Sequence, residues 1–297
     1  MYVESRRAFL LRTQNADGGW GYFPGKASWL EPTAYAMLAL YGQPESADAL
    51  QRAWRLVAGW QLPDGSWRPG SEVGDGAWVT ALAVNICSLQ PAADAIRRKG
   101  IEYLLRTEGA ERCFKFRVME VLGLGHIEQD TSHPAWPWRP GTSSWIEPTV
   151  HSVIALKKSA AIKGDAGLKT RITVRIHEGE AMILSRRCAD GGWNHGASVN
   201  LSMPVPSYPE STGLALLALQ GRAREAGSAL TLARRYYQET KSPLARAWLA
   251  IALRAWGDAP EIDRDQRMRD GDIMLAALQA LAHPDGNHSV FRTGEAA

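Results

Sequence analysis

Three glutamates stand at the same place in three similar segments. They are Glu31 in Glu31-Pro-Thr-Ala-Tyr, Glu147 in Glu147-Pro-Thr-Val-His and Glu210 in Glu210-Ser-Thr-Gly-Leu. Each is followed by an alanine- and leucine-rich run with no polar face, so each should open a helix that is buried on all sides. Asp75 lies near the start of a fourth such run, Trp78-Val-Thr-Ala-Leu-Ala-Val84. If these helices lie side by side and parallel, the four carboxylates share one mouth. Two explanations of the acids remain open. An acid in the first turn is favoured by the helix dipole, worth ~0.3–1 kcal/mol, with Pro32 and Pro148 suited to a first turn. Alternatively, the acids form a polar site above an apolar pocket. His151 follows Glu147 by one helical turn. That pair is the best acid–base couple in the chain, because the histidine's pKa would respond to the carboxylate.

The elements that must position these residues are announced by a repeat. Gln14-Asn-Ala-Asp-Gly-Gly-Trp20 matches Gln61-Leu-Pro-Asp-Gly-Ser-Trp67, with the glutamines 47 residues apart, and Thr33 and Thr80 keep the same spacing. Tyr103-Leu-Leu-Arg-Thr-Glu108 copies Phe9-Leu-Leu-Arg-Thr-Gln14, and Asp190-Gly-Gly-Trp193 is a later copy of the turn. A fixed period in this range signals stacked helical pairs. Amphipathic segments before the turns read as outer helices near 3–13, 46–60, 93–106, 172–187, 223–239 and 270–282. Apolar segments after them read as inner helices near 31–41, 76–89, 112–124, 145–158, 209–220 and 243–256. The expected fold is all-α, an (α/α)6 toroid of six inner and six outer helices in one domain spanning 1–297. In this scheme the long link from His126 to Ser144 joins two inner helices, and 282–297 is a polar, flexible tail.

The F-L-x-x-x-Q and D-G-G-W pieces resemble the QW repeat of squalene-hopene cyclases and of protein prenyltransferase β-subunits. Phe9 to Trp20 carry it in full, Gln61 to Trp67 carry its second half, and Lys99 to Leu104 its first. The resemblance implies an α/α toroid whose repeats are structural. Gln14 and Gln61 would then satisfy helix ends, the Asp-Gly turns would use glycine's positive φ, and Trp20, Trp67 and Trp193 would staple hairpins together. It also implies a central cavity that takes an isoprenoid or similarly apolar ligand. In class II cyclases of this kind a D-x-D-D-T-A motif supplies the proton that starts cyclisation. The matching stretch here is Trp29-Leu-Glu31-Pro-Thr33-Ala, with one acid. Arg269-Asp270-Gly-Asp272 has two acids but falls on an expected outer helix.

Prenyltransferase β-subunits also hold zinc through Asp, Cys and His. The richest donor cluster here is His126, Asp130 and His133, with Glu128 between them, and zinc or magnesium are the ions it would suit. Cys188 with His195 is a second candidate pair. The net charge of +3 is too mild, and Arg222, Arg224, Arg234 and Arg235 too helical in spacing, to suggest a nucleic-acid face. No run of about 18 apolar residues would span a membrane. The N-terminus has no signal-peptide core, and three scattered cysteines fit a reduced, cytoplasmic setting. Two other functions stay open beside the isoprenoid toroid: a non-catalytic scaffold that holds a protein partner, and a carbohydrate-active toroid using Glu31, Glu147 and Glu210.

Overall fold

The computed structural model describes residues 2–112, 130–160, 165–200, 202–261 and 271–293. Among them are eleven α-helices. In chain order these are α1 (Tyr2–Arg12), α2 (Leu30–Leu40), α3 (Ala47–Gly59), α4 (Val79–Cys87), α5 (Asp94–Arg106), α6 (Ile146–Ser159), α7 (Ala166–Ser185), α8 (Pro209–Ala218), α9 (Ala223–Glu239), α10 (Pro243–Ala255) and α11 (Ile273–Ala282). A two-stranded hairpin, β1 (Val199–Asn200) and β2 (Met203–Pro204), is the one sheet among them. None of these helices is long and apolar enough to cross a membrane.

Six helices form a closed inner ring in the order α2, α4, α6, α8, α10, α11 and back to α2. All six are buried along most of their length, as their apolar, alanine-rich sequences require. Outside lie α1 against α11 and α2, α3 against α2, α5 against α4, α7 against α6, and α9 between α8 and α10. The outer helices α3 and α9 bury one stripe each, Ala49, Ala53 and Val57 in the first and Ala226, Ala229, Leu232, Ala233 and Tyr237 in the second. The all-α toroid is therefore the fold.

One placement differs from the expected scheme. The repeat puts α11 in the outer wall, yet Ile273 to Ala282 are buried apart from Met274, and the helix fills the sixth inner place. Its sequence is apolar all round; only Gln279 is polar, and its Oε1 accepts from Arg6 Nε at 3.3 Å. The expected inner helix 112–124 lies almost wholly outside the described residues. The ring closes without it, because α4 packs directly on α6.

One device recurs at four places and locks four outer helices, α1, α3, α5 and α7, to inner ones. The indole Nε1–H of Trp20, Trp67, Trp136 and Trp193 donates to Leu10, Val57, Leu104 and Ile183 carbonyls at 2.8, 2.7, 2.9 and 2.6 Å. These are late-helix acceptors; the Leu10 and Val57 carbonyls also accept from the N–H of Thr13 and Trp60. The backbone N–H of each tryptophan donates to the hydroxyl of Thr33, Thr80, Thr149 or Thr212 on the adjoining inner helix. The glutamines add the link along the outer wall: Gln14 Nε2 reaches the Gly18 and Ala49 carbonyls, and Gln61 Nε2 those of Gly65 and Ile96. Neighbouring repeats are joined at the top. Leu30, Trp78 and Ile146 donate their N–H to the carbonyls of Pro69, Trp138 and His195, each two residues past the next repeat's tryptophan. Ile273 of α11 donates in the same way to Tyr22, two residues past Trp20, which joins the last inner helix to the first turn.

The candidate site at the mouth of the ring

The inner helices run parallel, so their N-termini meet at one end. Glu31, Glu147 and Glu210 occupy the first turns of α2, α6 and α8, all half-buried. None of these helices has a side-chain cap at Trp29, Trp145 or Tyr208, the residues that precede them. Glu31 Oε2 instead accepts a short hydrogen bond from the Tyr22 hydroxyl. Burial raises the Glu31 pKa, and the Tyr22 bond opposes that rise. The Tyr22 phenol is itself driven well up, first by burial and then by the charges of Glu31 and Glu147.

Glu147 is the most perturbed acid. Burial, followed by the charges of Glu31 and Glu210, lifts its carboxyl from 4.5 to about 8. At about 1.4 kcal/mol per unit, that shift outweighs the ~0.3–1 kcal/mol that a helix N-terminus offers the charged form. The dipole is present and loses, and the carboxyl holds its proton at neutral pH.

One turn below the acids the axis is filled by rings. Tyr35, His151 and Trp248 each sit five residues into their helices, about 7.5 Å below the first turn, and are 0, 2 and 3% exposed. The Tyr35 hydroxyl lies 3.2 Å from His151 Nε2. Trp248 meets Tyr35 edge-on at 5.6 Å and His151 at 6.0 Å, and Trp78 covers His151 at 5.5 Å. Burial pushes the His151 imidazole down to about 3, so it is neutral. Above this floor the rim is aromatic too. Tyr22 packs by Trp29, Trp78 by Trp138, and His195 by Tyr208. The site combines three acids with an aromatic rim and an aromatic floor. It can take an apolar body and offer a neutral carboxyl to a polar end.

The structure brings Glu31, Glu147 and Glu210 together, with His151 beneath them. It does not bring Asp75, which is exposed and whose charge is felt by Tyr103 of α5. Of the metal candidates, His126 lies outside the described residues. Asp130 and His133 pair with each other at 3.5 Å, and Ser132 holds Asp130 through backbone and side-chain hydrogen bonds that lower its pKa. Among the described residues no three His, Cys, Asp or Glu side chains gather as metal donors would. Cys87 and Cys188 are buried free thiols, while the His195 ring lies on Tyr208. Asp272 caps the inner helix α11 by accepting from Leu275 N–H at 2.8 Å, which puts it at the mouth end and not on the outer wall. Tyr22, Trp78 and Trp248 were missed by sequence reasoning. Trp78 was detectable, since it stands two residues before Thr80 where the matching helices carry Glu31 and Glu147.

No protein-family profile matches the chain. Among characterised proteins it is similar to a drimenyl diphosphate synthase of Streptantibioticus cattleyicolor, 45% identical over 60 residues. That stretch is 20% of this chain and 11% of the synthase, so the likeness spans about a tenth of the relative's length. Among solved structures it is similar to the type II terpene cyclase MstE of Scytonema, in a variant bound to its product merosterolic acid A. The TM-score is 0.51 with 18% identity, over 97% of this chain and 80% of that one. It is also similar to an uncharacterised conserved protein of Thermus thermophilus, with TM-score 0.56 and 12% identity over 94% and 98% of the two chains. These likenesses establish a terpenoid-cyclase-like toroid as the fold.

Proposed function

We propose that the chain binds an isoprenoid or similarly apolar ligand at the mouth of the toroid, with the ligand's uncharged polar end held by Glu147. The observation that carries this is a carboxyl that stays protonated to about pH 8 directly above a floor of Tyr35, His151 and Trp248. An apolar body meets apolar rings, and a hydroxyl or carbonyl meets a neutral donor, the usual composition of a small-molecule site. The partial similarity to a drimenyl diphosphate synthase and the toroid shared with a terpene cyclase support the isoprenoid class.

The same acid argues against starting a cyclisation. A carboxyl that titrates near 8 holds its proton tightly and is a poor donor to an alkene, and among the described residues no second acid is hydrogen-bonded to Glu147. Nor does the mouth suit an anionic head. Among the described residues no cation figures in the charges acting on Glu31 or Glu147, so a diphosphate would find no counter-charge there.

The test is titration of the purified protein with farnesol and with farnesyl diphosphate, followed by intrinsic tryptophan fluorescence. Farnesol should bind, and its affinity should fall as pH rises through 8 as Glu147 ionises. Glu147→Gln should keep binding and lose that pH dependence. Absence of binding to any prenyl chain, or binding untouched by both Glu147→Ala and Trp78→Ala, would sink the proposal.

A further inference from the structure

The lower end of the ring is stopped by the chain's own C-terminal segment, which the sequence suggested was a loose tail. His288–Phe291 form a 3-10 turn after α11, with Val290 and Phe291 buried. Its fastenings come from the C-terminal ends of four inner helices. Asn287 Nδ2 donates to the Leu38 and Tyr41 carbonyls at 3.4 and 3.3 Å, at the end of α2. Lys158 Nζ of α6 donates to the Val290 carbonyl at 2.5 Å and to Asn85 Oδ1 at 2.8 Å. Gln220, just past α8, donates to the Phe291 carbonyl at 2.8 Å and accepts from Thr293 N–H at 3.2 Å. Arg292 Nη2 reaches the Arg254 carbonyl of α10 at 3.3 Å. Asn287 and Arg292 thus donate to carbonyls at helix C-termini, while Lys158 and Gln220 at the ends of α6 and α8 donate to the segment's own carbonyls.

What this stopper holds in place is a single ring. Phe291, fully buried, meets Trp248 edge-on at 5.7 Å from below. Trp248 in turn leans on Tyr35 and His151, the floor of the mouth. An indole with a packed phenyl beneath it cannot drop along the axis without overpacking, and interiors do not yield to that cheaply.

From this contact chain we infer that Phe291 is the stop that sets the depth of the mouth, and so the chain length of apolar ligand it accepts. It acts through Trp248 and is a positioning residue. The inference rests on the proposal that the mouth binds an isoprenoid-type ligand. Shortening Phe291 leaves space under Trp248 comparable to one isoprene unit. The indole can then sink and lower the floor, and a longer chain fits. Enlarging Phe291 pushes the other way.

The experiment compares geraniol, farnesol and geranylgeraniol binding to the wild-type full chain and to Phe291→Leu, Phe291→Ala and Phe291→Trp, by calorimetry and tryptophan fluorescence. Far-UV circular dichroism and thermal midpoints identify which variants are folded. Phe291→Leu is the near-isosteric version that keeps the stopper packed. The ratio of affinities for the longer alcohol over the shorter should rise about tenfold in Phe291→Ala, less in Phe291→Leu, and fall in Phe291→Trp. A variant that merely loosens the ring weakens all three alcohols alike. If the ratio stays at its wild-type value in the folded variants, Phe291 is not the stop, while binding at the mouth stands. If the wild-type protein binds none of the three alcohols, the proposed function fails and the inference falls with it.

Discussion

Glu147 keeps its proton because burial and two neighbouring carboxylates act in the same direction, and this has a measurable stability signature. Its pKa is raised from 4.5 to about 8 on folding. Between those values the folded state binds more protons than the unfolded chain, so stability falls as pH rises across that window. Glu147→Gln removes the term. Its unfolding free energy, read by urea titration, should match wild type near pH 4.5 and exceed it progressively up to pH 8, by about 1.4 kcal/mol per pH unit at most. A difference that stays flat with pH would refute the assignment. His151 works in the opposite sense: its pKa is depressed to about 3, so stability is lost as pH falls from 6.5 toward that value. A second check concerns Tyr22, whose hydrogen bond lowers the Glu31 pKa against burial. Tyr22→Phe should raise the Glu31 pKa further, read by NMR titration of its side-chain carboxyl carbon. At this scale the sequence was legible in part. Glu31, Glu147 and Glu210 could be found because each precedes a threonine in a repeated phrase. Of the aromatic residues Tyr22, Trp78 and Trp248, only Trp78 carries a sequence sign that groups it with them, its place two residues before Thr80. The three aromatics come from a turn, from a helix with tryptophan in the glutamate's place, and from a helix without the phrase, and only ring closure brings them to one axis.

The tryptophan lock shows what the repeat does for the helices. In three copies the indole and its carbonyl acceptor are separated by 10 residues, and in the fourth, Trp136 to Leu104, by 32. The chain between α5 and Trp136 therefore carries an insertion within a repeat. This is why Glu108 has no Gly-x-Trp after it, and why the region reads as a long link between inner helices. The spacing from tryptophan to threonine survives, at 13 residues for Trp20, Trp67 and Trp136. That is the signal by which the fourth lock could have been found. It stretches to 19 at Trp193, where the β1–β2 hairpin is inserted. If the locks are equivalent, Trp136→Phe and Trp67→Phe should destabilise by similar amounts. Each removes one buried hydrogen bond, worth about 0.5–1.5 kcal/mol, and the smaller ring adds a cavity cost. Urea unfolding of both variants checks this, and a negligible loss for Trp136→Phe would remove it from the set.

For the molecule as a whole, the fold was readable because wholly apolar helices have nowhere to go but an inner wall. The scheme failed at α11 because strict alternation was allowed to outrank composition, although Ile273 to Ala282 is as greasy as any inner segment. It failed at the tail because 287–293 is held by hydrogen bonds exchanged with the C-terminal ends of other helices, which no local pattern reveals. The seam between α11 and the first turn has one more consequence. Ile273 binds Tyr22 as the starts of α2, α4 and α6 bind the next turn, α1 lies on α11, and Arg7 Nη2 reaches the Asp285 carbonyl at 3.3 Å. The seam is thus fastened by the same kind of joint as other parts of the inner wall. A gene rewired to join residue 293 to residue 2 by a short linker, and reopened at Gly42 in the turn after α2, should yield a circular permutant with the parent's helical content and a single unfolding transition.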